Sequence, residues 1–121
     1  KLYITMDKCD SRPTVKKQIA DENSILNELK KLIRIRKENQ VLQESAAFEP
    51  IFNKNSAYPL IYKRKSGNES ILVAINPTDN ECACLFDEKI GDTIYSFNGE
   101  AFIKDGKLTV PACSASYIKI V

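Results

Sequence analysis

Two hydrophobic periods divide the chain. Over about residues 22–40, Ile25 is followed by Leu29, Leu32 and Ile33 at offsets of four, seven and eight, with Leu26 beside them and Arg36 extending the row. That spacing predicts an amphipathic helix. Asp21 or Asn23 can cap its start, and the acids Asp21 and Glu22 suit the positive end of the helix. Arg34, Arg36 and Lys37 oppose the negative end, where Asn39 and Gln40 stop it. Residues 1–20 show no sustained period; Pro13 keeps the polar stretch before it out of the helical region, and this segment is expected to be poorly anchored.

After about Ser45 the period becomes two. Phe48 to Phe52 reads as a first strand, and Tyr58, Leu60 and Tyr62 alternate as a second, with Pro59 marking an edge or a bulge. Lys63 to Asn68 is expected to be a polar turn, its Lys63-Arg64-Lys65 cluster a charged hairpin tip. Ile71 to Ile75 is apolar on both faces, as a central strand covered on both sides requires. Cys82 to Phe86, Ile94 to Phe97, Ala101 to Ile103, Leu108 to Val110 and Ser116 to Val121 follow. Asn98-Gly99 and Asp105-Gly106 are hairpin signals, and Gly67, Gly91, Gly99 and Gly106 all fall where turns are expected. The fold class is therefore mainly β: an antiparallel sandwich of about eight short strands, with hairpin or Greek-key links, after one helix.

Composition narrows the function. Eighteen basic and sixteen acidic residues leave a formal charge of +2, which argues against a nucleic-acid partner. No apolar run is long enough to span a membrane. The chain opens on Lys1 without a leader-like segment, and the expectation is a piece of a longer chain. Cys9, Cys82, Cys84 and Cys113 are too dispersed for a zinc pattern; Cys82 and Cys84 are expected to pack on one strand face, and free thiols fit a reducing cytoplasm.

Candidate chemistry is sparse. The chain has no histidine, which removes Ser–His and Cys–His catalysis and imidazole metal ligands. Paired carboxylates can cleave a glycosidic bond, and the pairs are Asp7 with Asp10, Asp79 with Glu81, and Asp87 with Glu88. Each lies in a polar loop with nothing apolar to separate acid from base, so all read as solvated turn residues. Lys30, Arg34 and Lys37 share a helix face that reads as solvated, and Glu28 can pair with Lys31. Tyr58, Tyr62, Tyr95 and Tyr117 fall mostly within strands and are expected to pack there rather than stack on sugars. Asn68-Glu69-Ser70 matches a glycosylation acceptor, which would mean nothing if the protein is bacterial. No catalytic, cofactor-binding or metal residue is assigned, and no cofactor is expected.

Ser24-Ile25-Leu26-Asn27-Glu28-Leu29-Lys30-Lys31-Leu32-Ile33-Arg34-Ile35-Arg36-Lys37-Glu38-Asn39, continued by Val41-Leu42, resembles the last barrel helix of glycoside hydrolase family 13, the α-amylase superfamily. Its α-glucosidases, oligo-1,6-glucosidases and trehalose synthases carry such a motif. Upstream, Lys1-Leu2-Tyr3-Ile4 through Arg12-Pro13-Thr14-Val15 and Gln18 is similar to the stretch that precedes that helix. Downstream, Tyr62-Lys63-Arg64, Ile71 to Thr78 and Ala115 to Val121 resemble strands of the family's C-terminal β-domain.

The resemblance implies a (β/α)8 barrel followed by an antiparallel sandwich. It implies residues 1–43 as a remnant of the barrel end and 44–121 as the β-domain. The family's aspartate nucleophile, glutamate acid/base and second aspartate would all precede Lys1, so none falls on a residue of this chain. The expected role is non-catalytic, stabilising a barrel that acts on α-glucosidic carbohydrates. The expected partner is that barrel, through Ile25, Leu29, Leu32 and Ile33, with part of the stripe on the sheet or driving self-association. The alternatives are a stand-alone carbohydrate-binding module and a basic-helix interaction module.

Overall fold

The computed structural model describes residues 4–52 and 57–121; the Lys1-Leu2-Tyr3 part of the family-like stretch lies outside them. The chain divides into two compact units, Lys1–Arg34 and Ile35–Val121.

In the first unit the segment expected to lack structure contains a short helix, α1 (Val15–Ala20). A turn closed by the Arg12 amide on the Cys9 carbonyl precedes Pro13, and Thr14 caps the helix by accepting a hydrogen bond from the Lys17 amide at 3.2 Å. Residues 14–20 are also anchored, contrary to expectation. The Gln18 carbonyl accepts from Ser24 Oγ at 2.6 Å and from Asn27 Nδ2 at 2.9 Å, while Gln18 Oε1 accepts from the Leu26 amide at 3.0 Å. Helix α2 (Ile25–Glu38) starts at this lock. Its cap is Ser24, whose Oγ accepts from the Asn27 amide at 3.3 Å, rather than Asp21 or Asn23. The Asp21 carboxylate instead takes the Asn23 amide in the turn before it. Glu28 and Lys31 pair as expected.

In the second unit α2 ends where Asn39 Nδ2 donates to the Ile35 carbonyl at 2.7 Å. A 3-10 turn, Gln40–Leu42, follows. Among the described residues eight strands come next: β1 (Ala47–Phe52), β2 (Leu60–Ser66), β3 (Glu69–Asn76), β4 (Cys82–Leu85), β5 (Ile90–Phe97), β6 (Phe102–Lys104), β7 (Lys107–Val110) and β8 (Ser114–Ile120). They form an antiparallel five-stranded sheet, β1-β2-β3-β8-β5, and a three-stranded sheet, β4-β7-β6. The mainly β, sandwich reading of the sequence is what the structure has. Ile61, Leu72, Ala74 and Ile118 from the large sheet meet Cys84, Leu108 and Val110 from the small one in the core. Strand β3 is buried on both faces, as its unbroken apolar run demands.

Several local expectations are corrected. Lys63, Arg64 and Lys65 are not a turn; they continue β2, and the turn is Gly67-Asn68 alone. Because β2 lies between β1 and β3, these charges guard no edge. Pro59 precedes β2 and marks neither edge nor bulge, and Tyr58 stands outside the strand. Asp105-Gly106 does make a two-residue hairpin between β6 and β7, both residues at positive φ. Asn98-Gly99 also has positive φ, but it carries the chain from the large sheet to the small one. Gly91 lies inside β5, where a Cβ would come within 2.9 Å of Val121 Cγ2.

The chain crosses between sheets four times, and one buried side chain joins two of those crossings. Asn76, at the end of β3, donates through Nδ2 to the carbonyls of Asn80 (2.8 Å), Val110 (3.1 Å) and Pro111 (3.0 Å). Its Oδ1 accepts from Thr78 N (3.0 Å) and Thr78 Oγ1 (2.7 Å). Replacing it by alanine strands the buried Val110 carbonyl and removes four further hydrogen bonds from the part-buried crossings. Asn76→Ala is expected to lower stability by about 3 kcal/mol, read as a lower urea midpoint at unchanged slope. A loss below about 0.5 kcal/mol, the scale of an ordinary surface change, would overturn this role.

Candidate functional site

The outer face of the five-stranded sheet gathers the side chains that the sandwich core does not use. Strand register lines up Pro50, Tyr62, Val73, Tyr117 and Tyr95 across all five strands. A neighbouring row runs Leu60, Ile75, Ala115, Phe97. On the other side Phe48, Arg64, Ile71 and Lys119 form a third row. A register irregularity in β5 turns Ile94 onto the same face as Tyr95, where it joins the outer cluster. Alternation along each strand could have signalled these residues one by one; the rows exist only once pairing is known.

Half of this face is covered. Val41 of the 3-10 turn is buried against Ile71 and Val73, with Leu42, Tyr62 and Tyr117 packed around them. Arg64 holds the turn from the sheet side by donating to the Gln43 carbonyl. Burial pushes the Tyr62 phenol pKa up, and a weaker opposing pull comes from the Arg64 guanidinium. Burial, with a smaller contribution from Tyr62, does the same to Tyr117. The rings are not a flat platform: Tyr95 meets Tyr117 edge-on, centroids 5.4 Å apart at 61°, and Phe48 is tilted 36° to Tyr62 at 5.0 Å. Such tilts suit aromatic packing rather than a sugar ring laid across coplanar faces.

The other sequence candidates are scattered. Asp7 accepts from the Cys9 amide, and Asp79 from Asn80 Nδ2. Glu88 has a definite partner: Lys63 Nζ lies 2.7 Å from its Oε1 and 3.5 Å from Glu49 Oε2, with the lysine side chain only 12% exposed. The Glu88 hydrogen bond holds the Lys63 pKa above its ordinary value. This ion cluster seals the rim of the core beside a shallow groove of about 760 Å³ lined in part by Leu85, Phe86 and Ile103. The four cysteines are unpaired; Cys84 is in the core, where burial raises its pKa, and Cys82 is half-buried on the same strand face. Exposed Cys9 has its pKa lowered, chiefly by a hydrogen bond with Ser11. Among the described residues no group of three or more acid or thiol side chains could hold a metal ion. In the first unit Lys30, Lys31 and Arg34 line an open groove with Glu22 and Asn27.

No family model matches the chain, and no curated protein matches it in sequence. Its fold does match solved structures. An isomaltulose synthase mutant from Erwinia rhapontici NX5 in complex with D-glucose superposes with a TM-score of 0.75 at 24% identity, covering 88% of this chain and 19% of that one. A second mutant of that enzyme, in complex with its natural substrate sucrose, gives 0.74 at 25% identity, covering 87% and 19%. The isomaltulose synthase of Klebsiella sp. LX3 gives 0.73 at 22%, covering 88% and 19%. The chain thus spans about a fifth of the length of the structures it matches.

The half-buried phenols set an alkaline limit. Tyr62 and Tyr117 keep their protons in the folded chain when unfolded tyrosines ionise near about pH 10. Their raised values therefore support folding below that pH, and the support is lost as pH rises through the folded values. Lys63, also raised, acts in the same direction. Stability is expected to fall above about pH 10, and the Tyr62→Phe, Tyr117→Phe double variant to flatten that fall. Absorbance at 295 nm should lose its latest-titrating component in the double variant; an unchanged titration curve would contradict the assignment.

Proposed function

We propose that this chain is the C-terminal part of a bacterial α-amylase-family glycoside hydrolase that acts on α-glucosidic carbohydrates. Residues 1–43 would close the catalytic barrel, and residues 44–121 would form a non-catalytic β-domain that stabilises it. The observation that carries this reading is the match of nearly all of this chain to one fifth of isomaltulose synthases. These enzymes belong to the family that the α2 motif resembles. The α2 stripe supports the same reading. Ile25 is 82% exposed, and Leu29 and Ile33 are exposed with it. Aliphatic side chains at that spacing are worth about 1.5–3 kcal/mol each when buried, so a barrel surface is the cover we assign to them, together with half-buried Leu32.

In this reading the catalytic carboxylates belong to the barrel, and no residue here carries the chemistry. Among the described residues no helix is long and apolar enough to cross a membrane, and four free thiols favour a reducing, cytoplasmic setting.

Expression of the natural reading frame tests this. The longer chain is expected to hydrolyse or transglycosylate sucrose or p-nitrophenyl α-glucoside, and the 121-residue chain to show no rate above the uncatalysed reaction. A natural protein without a barrel-sized domain ahead of this segment would overturn the proposal, as would a longer chain inert towards α-glucosides.

A further inference from the structure

Three of the four crossings between the sheets meet at one residue, Cys113. Its amide donates to the Thr78 carbonyl, in the β3–β4 crossing, at 2.7 Å. Its carbonyl accepts from Asn98 Nδ2, in the β5–β6 crossing, at 3.0 Å. Asn98 is exposed, with φ 55°, and Gly99 follows it with φ 115°. This is the chain's single Asn-Gly pair; Asn68 and Asn80 precede glutamates, and Asn76 precedes Pro77, which has no N–H. Gly99 lacks the Cβ that would shield its nitrogen from the preceding side chain. Among the described residues its amide donates to no acceptor. Elsewhere the corner fits closely. A Cβ on Gly99 would lie 3.3 Å from Pro111 Cγ, and the Gly99 carbonyl accepts from buried Ser116 Oγ at 3.5 Å. The same hydroxyl accepts from the Ala101 amide at 2.9 Å.

We propose that Asn98 is a self-modification site, at which deamidation through a cyclic imide unties the β5–β6 crossing. The Gly99 nitrogen bonds to Asn98 Cγ, the Cγ–Nδ2 bond breaks, and Nδ2 leaves as ammonia with the proton lost from the Gly99 amide. Water then opens the imide. Addition at Cγ leaves aspartate at position 98; addition at the main-chain carbonyl leaves isoaspartate, with the main chain routed through Cγ. Water is the one co-reactant, and nothing is oxidised or reduced. Both products lose the donor to the Cys113 carbonyl and set a carboxylate, which has no proton to give, beside that oxygen. Isoaspartate also adds a backbone carbon at a corner that Pro111 and Ser116 already fill. The site stands independently of the proposed function, because it needs only the sandwich.

Peptide mapping of the folded 121-residue chain after incubation in mildly alkaline buffer tests the site. Acid at position 98, as a mixture of aspartate and isoaspartate, is expected to accumulate at least about tenfold faster than at Asn68 or Asn80. Asn98 still intact when either of those has converted overturns the proposal. So does aspartate without isoaspartate, the mark of direct hydrolysis in place of an imide. Conversion more than about a hundredfold faster in urea than in the folded chain means that the corner protects Asn98, and this overturns it too. Asn98→Gln should abolish the isoaspartate signal at this position; a signal that persists contradicts the assignment. The converted fraction separates by its added negative charge and is expected to melt about 4 °C below the parent. Asn98→Asp should shift Tm in the same direction by a smaller amount. A converted fraction with the Tm of the parent overturns the untying of the crossing.

Discussion

A buried amide, that of Asn76, is the constraint on which the sandwich depends. Two sheets can pack face to face only if the chain passes between them, and each passage takes backbone groups off the ladders. Strand β3 leaves the large sheet at Asn76, and β7 leaves the small one at Val110. These exits lie side by side, because Asn76 pairs with Ser114 and Cys82 with Val110. The amide supplies donors to carbonyls of both passages and an acceptor to Thr78. The second passage is held further by Cys113, whose amide donates to the Thr78 carbonyl at 2.7 Å. A hydroxyl has one proton and a carboxylate none, so neither could serve as donor to both crossings.

With that end fixed, β3 and β8 become the centre of the molecule, and their two faces meet different demands. Inward, Leu72, Ala74, Ser116 and Ile118 complete the inter-sheet core. Outward, Val73 and Tyr117 need cover as well, and the 3-10 turn after α2 provides part of it. The second unit is thus organised around apolar contact on both sides of one sheet. Its titratable groups serve that organisation: Lys63 and Glu88 close the rim of the core, and Arg64 fastens the turn.

The sequence announced most of this fold because hydrophobic period reports burial directly. The double-sided apolar run of β3 and the eight strand segments could be read that way, and the stripe of α2 announces its helix although Ile25, Leu29 and Ile33 lie exposed. What failed were places where local chemistry has two outcomes. Asn98-Gly99 and Asp105-Gly106 have the same left-handed preference, yet one crosses sheets and the other closes a hairpin. Positive φ sets the turn, not the partner of the next strand. Lys63, Arg64 and Lys65 looked like a tip because charge suggests solvent; Lys63 instead found Glu88, distant in sequence. Helix α1 is too short to show a period, and Ser24 does not stand out as a cap where Asp21 and Glu22 offer acids just before it. The rows of the outer face are visible in the sequence only as separate tyrosines, since they depend on strand register.

The same distinction accounts for a fold shared at low identity. Core positions tolerate one apolar side chain for another when volume is kept, so Leu72, Ile118 or Leu108 carries little that a distant relative must repeat. Junctions do not tolerate such exchange, because each polar atom there has a particular partner. The residues on which the family resemblance rests sit largely at such junctions. Gln18, Ser24 and Asn27 lock α1 to the start of α2; Val41, Tyr62 and Arg64 seat the turn on the sheet; Asn76 and Thr78 tie the crossings. A chain can therefore drift to between 22% and 25% identity and still superpose at TM-scores of 0.73 to 0.75. Such hydrogen-bonded groups mark where helix, turn and sheet are joined, and exchange of one there leaves a partner unmatched, which is why a chain has least freedom to change at those places.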